Sequence, residues 1–196
     1  MIEIILASAS PRRQELLQLL GIEFRVVPSD FDEKSAVAWP PEAHVMESAG
    51  GKAADIASRI EDCVVIGADT VVVVDDRILG KPSDPDDARR MLSLLSGRSH
   101  YVYTGLAVIL HSEGKTVHAA RDFVRTEVCF GELSDATIDH YVATGEPLDK
   151  AGAYGIQERG SLLVEGIVGD YFNVVGLPIY RLSRMLTEVG IPIFGI

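Results

Sequence analysis

Residues 63–74 read Cys-Val-Val-Ile-Gly-Ala-Asp-Thr-Val-Val-Val-Val. β-Branched residues at successive positions predict a strand buried on both faces, because a half-solvated strand alternates apolar with polar side chains. One carboxylate, Asp69, interrupts the run. An unpaired charge there costs several kcal/mol, about what burial of two large aliphatic side chains returns. Asp69 is therefore expected to be ion-paired, bound to a metal or at the mouth of a site, or else to begin a turn with Thr70. Gly67 and Ala68 leave room beside it for something bulky, and a ligand is the expectation.

Strands and helices alternate outward from this stretch. Ile2 to Leu6 reads as a short buried strand, followed by Ser8-Ala-Ser10-Pro-Arg-Arg13 at the entry to a helix. Ser10 suits the N-cap, Pro11 the first turn, Leu16, Leu17 and Leu20 a buried stripe and Gly21 the C-terminal stop. Strand, small-residue loop and helix N-terminus form an anion site. Arg12 and Arg13 oppose the dipole of their own helix, and residues that break a local rule mark sites. Phe24 to Val27 reads as a second strand, leading to the acidic loop Ser29 to Lys34. Pro40 to Ile60 reads as a helix in which Gly50-Gly51 implies close packing or a kink beside Lys52.

Beyond the central strand, Asp75-Asp76 marks a turn, and Lys81 stands between Gly80 and Pro82 on an expected rigid loop. Asp84-Pro85 caps a helix with Ala88, Met91, Leu92 and Leu95 on its core face. Tyr101 to His111 and Thr116 to Phe130 are expected as a two-stranded insert joined at Glu113-Gly114-Lys115. A capped helix from Ser134 to Thr144, a bare loop at Asp149 to Gln157, a strand from Leu162 to Val168 and a last helix opened by Pro178 complete the chain. The pattern predicts an α/β fold with a mixed sheet flanked by helices.

A length of 196 residues fits one domain over 1–196, with room for two lobes and a core that needs no disulfides. Cys63 and Cys129 form no Cys-x-x-Cys pair and are expected to be reduced, as in the cytoplasm. No apolar run predicts a membrane span. With 18 Lys and Arg against 29 Asp and Glu, the formal charge of −11 repels polyanions and argues against nucleic-acid polymers as partners, leaving small anions that a local cation cluster can hold. Arg12, Arg13, Lys52 and Lys81 are that cluster, with Ser8 and Ser10 on the first loop. Lys52 does not belong to a P-loop, since Met46 stands where its first glycine is needed and Ala53 where Ser or Thr is. The five histidines lack metal-ligand spacing and read as surface or core residues. Cations for phosphates, with Asp69 and Glu33 as carboxylates for a hard divalent metal or as a base for water, describe phosphate-anhydride hydrolysis.

Leu-Ala-Ser-Ala-Ser-Pro-Arg-Arg near the start, Phe-Asp-Glu, Gly-Gly-Lys-Ala, Gly-Ala-Asp-Thr-Val-Val, Gly-Lys-Pro, Tyr-Thr-Gly, Asp-Lys-Ala-Gly-Ala-Tyr-Gly-Ile-Gln and Gly-Asp-Tyr-x-Asn-Val-Val-Gly-Leu-Pro occur in this order. The series resembles the Maf family of nucleoside triphosphate pyrophosphatases, from residue 5 to about residue 186. The resemblance implies an elongated fold related to the inosine triphosphate pyrophosphatases, with two lobes around a cleft. It implies Asp69 as proton acceptor for a water nucleophile, and Arg12, Thr70 and Gln157 as base-selecting residues. Lys52, Lys81 and Glu33 match polar positions of that cleft, assigned on physical grounds to phosphates and to Mg²⁺ or Mn²⁺. Asp69 is open between base and metal ligand, with Glu33 as base in the second case. The late motif resembles the branch acting on dTTP and UTP, and an amide at Gln157 offers both donors and an acceptor to a uracil or thymine edge. A nucleotide-sensing regulator of septum formation and a pyrophosphatase for modified nucleotides are the alternatives, and a homodimer is compatible with either.

Overall fold

The computed structural model describes residues 2–32 and 40–193. Its strands are β1 (Glu3–Leu6), β2 (Arg25–Val26), β3 (Cys63–Val74), β4 (Arg77–Leu79), β5 (Ser99–Ser112), β6 (Lys115–Phe130) and β7 (Val164–Val168). The helices are α1 (Pro11–Gln18), α2 (Pro41–Ala57), α3 (Pro85–Leu95), α4 (Asp135–Ala143), α5 (Tyr171–Val175) and α6 (Ile179–Glu188). The strands form a mixed sheet in the order β2-β1-β3-β5-β6-β7, with β4 paired to β3 off this path. The chain divides into two compact units, one made of Met1–Asp69, Thr104–Val124 and Gly176–Ile196 and the other of Thr70–Tyr103 and Arg125–Val175.

In the first unit β1 pairs in parallel with β2 and with β3, Glu3–Leu6 lying beside Cys63–Ile66. Ile5, Ala7, Ile56, Cys63, Val65, Ala107 and Ile109 form its core with the alanines of α2. Two glycines seat that helix on the sheet. A Cβ on Gly67 of β3 would lie 2.2 Å from the Ala49 carbonyl oxygen, and one on Gly105 of β5 would lie 2.2 Å from that of Val45. The two carbonyls are four residues apart, one above the other on a single helix face, so bare backbone on adjacent strands lets α2 descend onto the sheet. The bulky occupant expected beside Gly67 is therefore helix α2, not a ligand. Gly50-Gly51 serves close packing within an unbroken α2, since added Cβ atoms would meet the Arg121 guanidinium and the Phe31 ring at 2.2 and 2.3 Å.

The second unit is built on Val72, Val74, Leu79, the buried face of α3 and the aromatic group of Phe130, Tyr141 and Tyr154. Asp75 and Asp76 both have positive φ and close a two-residue turn. Such a turn matches strand twist and returns the chain onto its own strand. Arg77–Leu79 consequently pairs with Val72–Val74 as β4, a strand that the sequence reading does not contain. The two strands expected as an insert are present as β5 and β6, neighbours inside the sheet order. β7 begins at Val164, two residues later than expected, because Glu158–Leu163 winds into 3₁₀ turns that leave Leu162 exposed. The short α5 was not anticipated; five residues are too few for a periodic signal. Cys63 and Cys129 are free thiols, as expected. Among the described residues no helix is long and apolar enough to cross a membrane.

Candidate active site

Asp69 owes its surroundings to strand register. β1 accompanies β3 only to Ile66, and β4 joins it only from Val72. Ala68 lies between the two pairings, and its carbonyl accepts from Arg13 Nη1 at 3.0 Å and from Lys52 Nζ at 3.5 Å. Side chains alternate along a strand, so Asp69 projects to the same face as Gly67, toward α2. Lys52 meets it there, with Nζ donating to Asp69 Oδ1 at 2.7 Å. Both residues are buried, 7% exposed for Asp69 and 8% for Lys52. The charge that the sequence required to be compensated is thus held in a buried ion pair with a further main-chain acceptor for the ammonium.

Ser8 and Arg13 adjoin this pair. Arg13 Nη1 also donates to Ser8 Oγ at 3.2 Å, and Arg13 Nε to the Gly176 carbonyl at 2.9 Å. The Ser10 amide donates to Ser8 Oγ at 3.3 Å. Ser10 occupies the N-cap of α1 without a side-chain cap bond, and no acidic residue lies in the first turn. Its hydroxyl and the helix end are thus left for an acceptor. Arg13 ties the first loop, β3 and the chain before α6 together through main-chain oxygens. Arg12 is half-buried in the same turn of α1.

Of the other predicted residues, Thr70, Lys81 and Gln157 belong to the second unit. Thr70 is the one position of β3 that is not fully buried. Gly80, before the exposed Lys81, accepts the Gly152 amide at 3.0 Å, which joins the Lys81 loop to the loop that leads to Gln157. Gly152 and Ala153 both have positive φ, and a left-handed alanine is the kind of local strain that collects at functional loops. Gln157 is half-buried at the start of the 3₁₀ turns. Glu33 lies outside the described residues. In the described chain before it, Ser29 Oγ and the Asp30 amide donate to Asp55 Oδ2 at 2.7 and 3.0 Å, and the Phe31 ring lies on Gly51. Those two bonds, with Arg59 beside it, hold the Asp55 carboxyl below its ordinary range.

Two residues were missed by sequence reasoning. His44 Nε2 lies 3.9 Å from Asp69 Oδ2, and Ser48 is fully buried one turn further along. The signal was available: residues 44, 48 and 52 recur every four positions within a predicted helix, which places them on one side of it.

Among the described residues no group of three or more His, Cys, Asp or Glu could hold a metal ion. Asp69 Oδ2, which Lys52 leaves free, offers one hard oxygen donor. One carboxylate suits Mg²⁺, a cation that draws most of its ligands from phosphates and water.

A family model described as Maf-like protein matches residues 3–189. The chain belongs to the Maf-like family. A relative from Moorella thermoacetica named dTTP/UTP pyrophosphatase is 52% identical over 197 residues, covering 100% of this chain and 99% of the relative. Another of the same name, from Bacillus cereus, is 50% identical over 191 residues and covers 97% of each. A solved structure of a HAM1 protein from Coxiella burnetii superposes with a TM-score of 0.51 at 16% identity, over 96% of this chain and 100% of that one. At that identity the likeness concerns the fold, which for this Maf-like chain agrees with the mixed α/β architecture expected from sequence.

Proposed function

We propose that this Maf-like protein hydrolyses nucleoside triphosphates, dTTP and UTP foremost, to the monophosphate and pyrophosphate in the cytoplasm. The observation that carries this reading is half-identity, over almost the whole chain, to relatives of that name. The buried Lys52–Asp69 pair supplies chemistry suited to it. Water donates a proton to Asp69 Oδ2 as its oxygen bonds to the α-phosphorus. The bridging bond to the β-phosphate breaks, and pyrophosphate leaves with the electron pair. Lys52 aligns the carboxylate through Oδ1.

Ser8, Ser10, Arg13 and Lys81 are proposed for the phosphates, along with Lys52, whose charge faces the anion as well as Asp69. Arg12, Thr70 and Gln157 are proposed to select the base. With Asp69 as base, Mg²⁺ or Mn²⁺ would be held by Glu33 and phosphate oxygens and would neutralise charge on the triphosphate; Asp69 as metal ligand is the alternative, in which Glu33 is the base.

The test is product analysis. Purified protein is incubated with dTTP, UTP, GTP and 7-methyl-GTP and either metal, and products are separated by ion exchange. Monophosphate and pyrophosphate from dTTP and UTP, with 7-methyl-GTP intact, are expected. Diphosphate and orthophosphate would place the attack at the γ-phosphate and overturn the proposal.

A further inference from the structure

α2 carries a polar column only partly used by the reaction just proposed. His44, Ser48 and Lys52 project from one side of the helix, and Lys52 takes one oxygen of Asp69 while His44 faces the other. The His44 side chain is only 14% exposed, and its Nδ1 is buried with no hydrogen-bond partner among the described residues. Ser48 Oγ below it is likewise buried and unpartnered. A helix face that only packed would carry apolar side chains at both places, and buried polar groups left in this state call for an explanation.

The 3.9 Å between His44 Nε2 and Asp69 Oδ2 is too long for a direct hydrogen bond. It does suit one bridging water. Two hydrogen bonds of about 2.8 Å from one water oxygen span that gap at an angle of roughly 90°, near the angle between the two O–H bonds of water. We infer that His44 is a further catalytic residue of this site, with Nε2 and Asp69 Oδ2 jointly holding the attacking water. That water donates one hydrogen to each, which leaves its lone pairs directed away from both, toward phosphorus. The proton lost in the reaction goes to Asp69; His44 accepts a hydrogen bond and takes up no proton. The inference rests on the hydrolysis proposed above.

The test uses the position of the acceptor. Glutamine places an amide oxygen near the site of Nε2, asparagine reaches only the site of Nδ1, and phenylalanine fills the volume with no acceptor. With dTTP and Mg²⁺, kcat is expected to fall about 10- to 100-fold in His44→Asn and His44→Phe, with KM within about twofold, and to recover to within about fivefold of wild type in His44→Gln. Thermal unfolding of each variant accompanies the kinetics, and if His44→Phe fails to fold, the glutamine–asparagine pair decides. Wild-type kcat in His44→Asn, equal losses in the glutamine and asparagine variants, or a rise in KM alone would overturn the role of His44 while wild-type turnover stands. Absence of monophosphate and pyrophosphate from the wild-type protein would instead remove the underlying reaction, and the inference with it.

Discussion

Gly67→Ala tests whether the Lys52–Asp69 pair depends on how closely α2 sits on β3. The added Cβ would lie 2.2 Å from the Ala49 carbonyl oxygen, which is helix backbone and cannot swing aside. An ordinary carbon–oxygen contact needs roughly 3.4 Å, so α2 has to retreat by about 1 Å. Overpacking of this kind costs about 1–3 kcal/mol, which for a chain of this length lowers the unfolding midpoint by roughly 3–10 °C. The retreat also stretches the 2.7 Å bond from Lys52 to Asp69 past hydrogen-bonding range. A misplacement of about 1 Å at reacting groups costs on the order of 10²-fold in kcat/KM. Gly50→Ala is the control, since the atom it meets belongs to the exposed Arg121 side chain, which can move. That variant should keep wild-type turnover and gain up to about 1 kcal/mol of helix propensity. Differential scanning calorimetry and steady-state kinetics on dTTP measure both effects. A Gly67→Ala protein that melts within about 1 °C of wild type and retains kcat/KM within about twofold would refute the seating argument.

Two further predictions concern buried charge. Asp69→Asn removes the carboxylate from the buried Lys52–Asp69 ion pair, so stability in urea at pH 7 should drop by about 3 kcal/mol along with loss of turnover, whereas Asp69→Leu combined with Lys52→Met should regain most of the stability and none of the activity. Additive losses in the double variant would show that the two side chains are not coupled. In the second unit, His100 is packed edge-on to Phe130 and Tyr154, with Nε2 2.7 Å from the Tyr154 hydroxyl. Burial lowers its pKa from 6.5 to about 4. The imidazole is therefore neutral in the fold but takes a proton in the unfolded chain below about pH 6.5, so its contribution is full above that pH and falls by about 3 kcal/mol as pH drops to 4. Urea unfolding of wild type and His100→Phe at pH 7 and pH 4 should show that this part of the acid loss is missing from the variant; equal losses in both would contradict it.

Much of the architecture was legible because it is encoded over a few residues. The β-branched run at 63–74 is a strand buried on both faces, with only Thr70 less than fully buried. Asp84 and Ser134 cap α3 and α4 by accepting from Asp87 and Thr137 amides, as helix-start chemistry demands. β4 escaped because its evidence was the conformation of the turn before it, not the three residues that make it. From sequence Gly67 implies room for a ligand, because an absent Cβ tells of a close neighbour but not of which one.

The site divides along the same line. A carboxylate in β3, arginines at the start of α1 and a lysine beside paired glycines pointed to a candidate site from sequence by itself, since each conflicts with what its own local environment prefers. Its ordered motifs likewise sufficed to indicate the family. Which partners those groups would have was decided only by tertiary structure. Arg13 braces a carbonyl 163 residues away at Gly176, and Lys52 meets Asp69 because Gly67 and Gly105 let α2 approach the sheet. Periodicity, capping and turn preference act between neighbours in the chain, whereas the aim of a side chain across a helix–sheet contact depends on packing summed over segments far apart in sequence, and His44 came to face Asp69 through that packing alone.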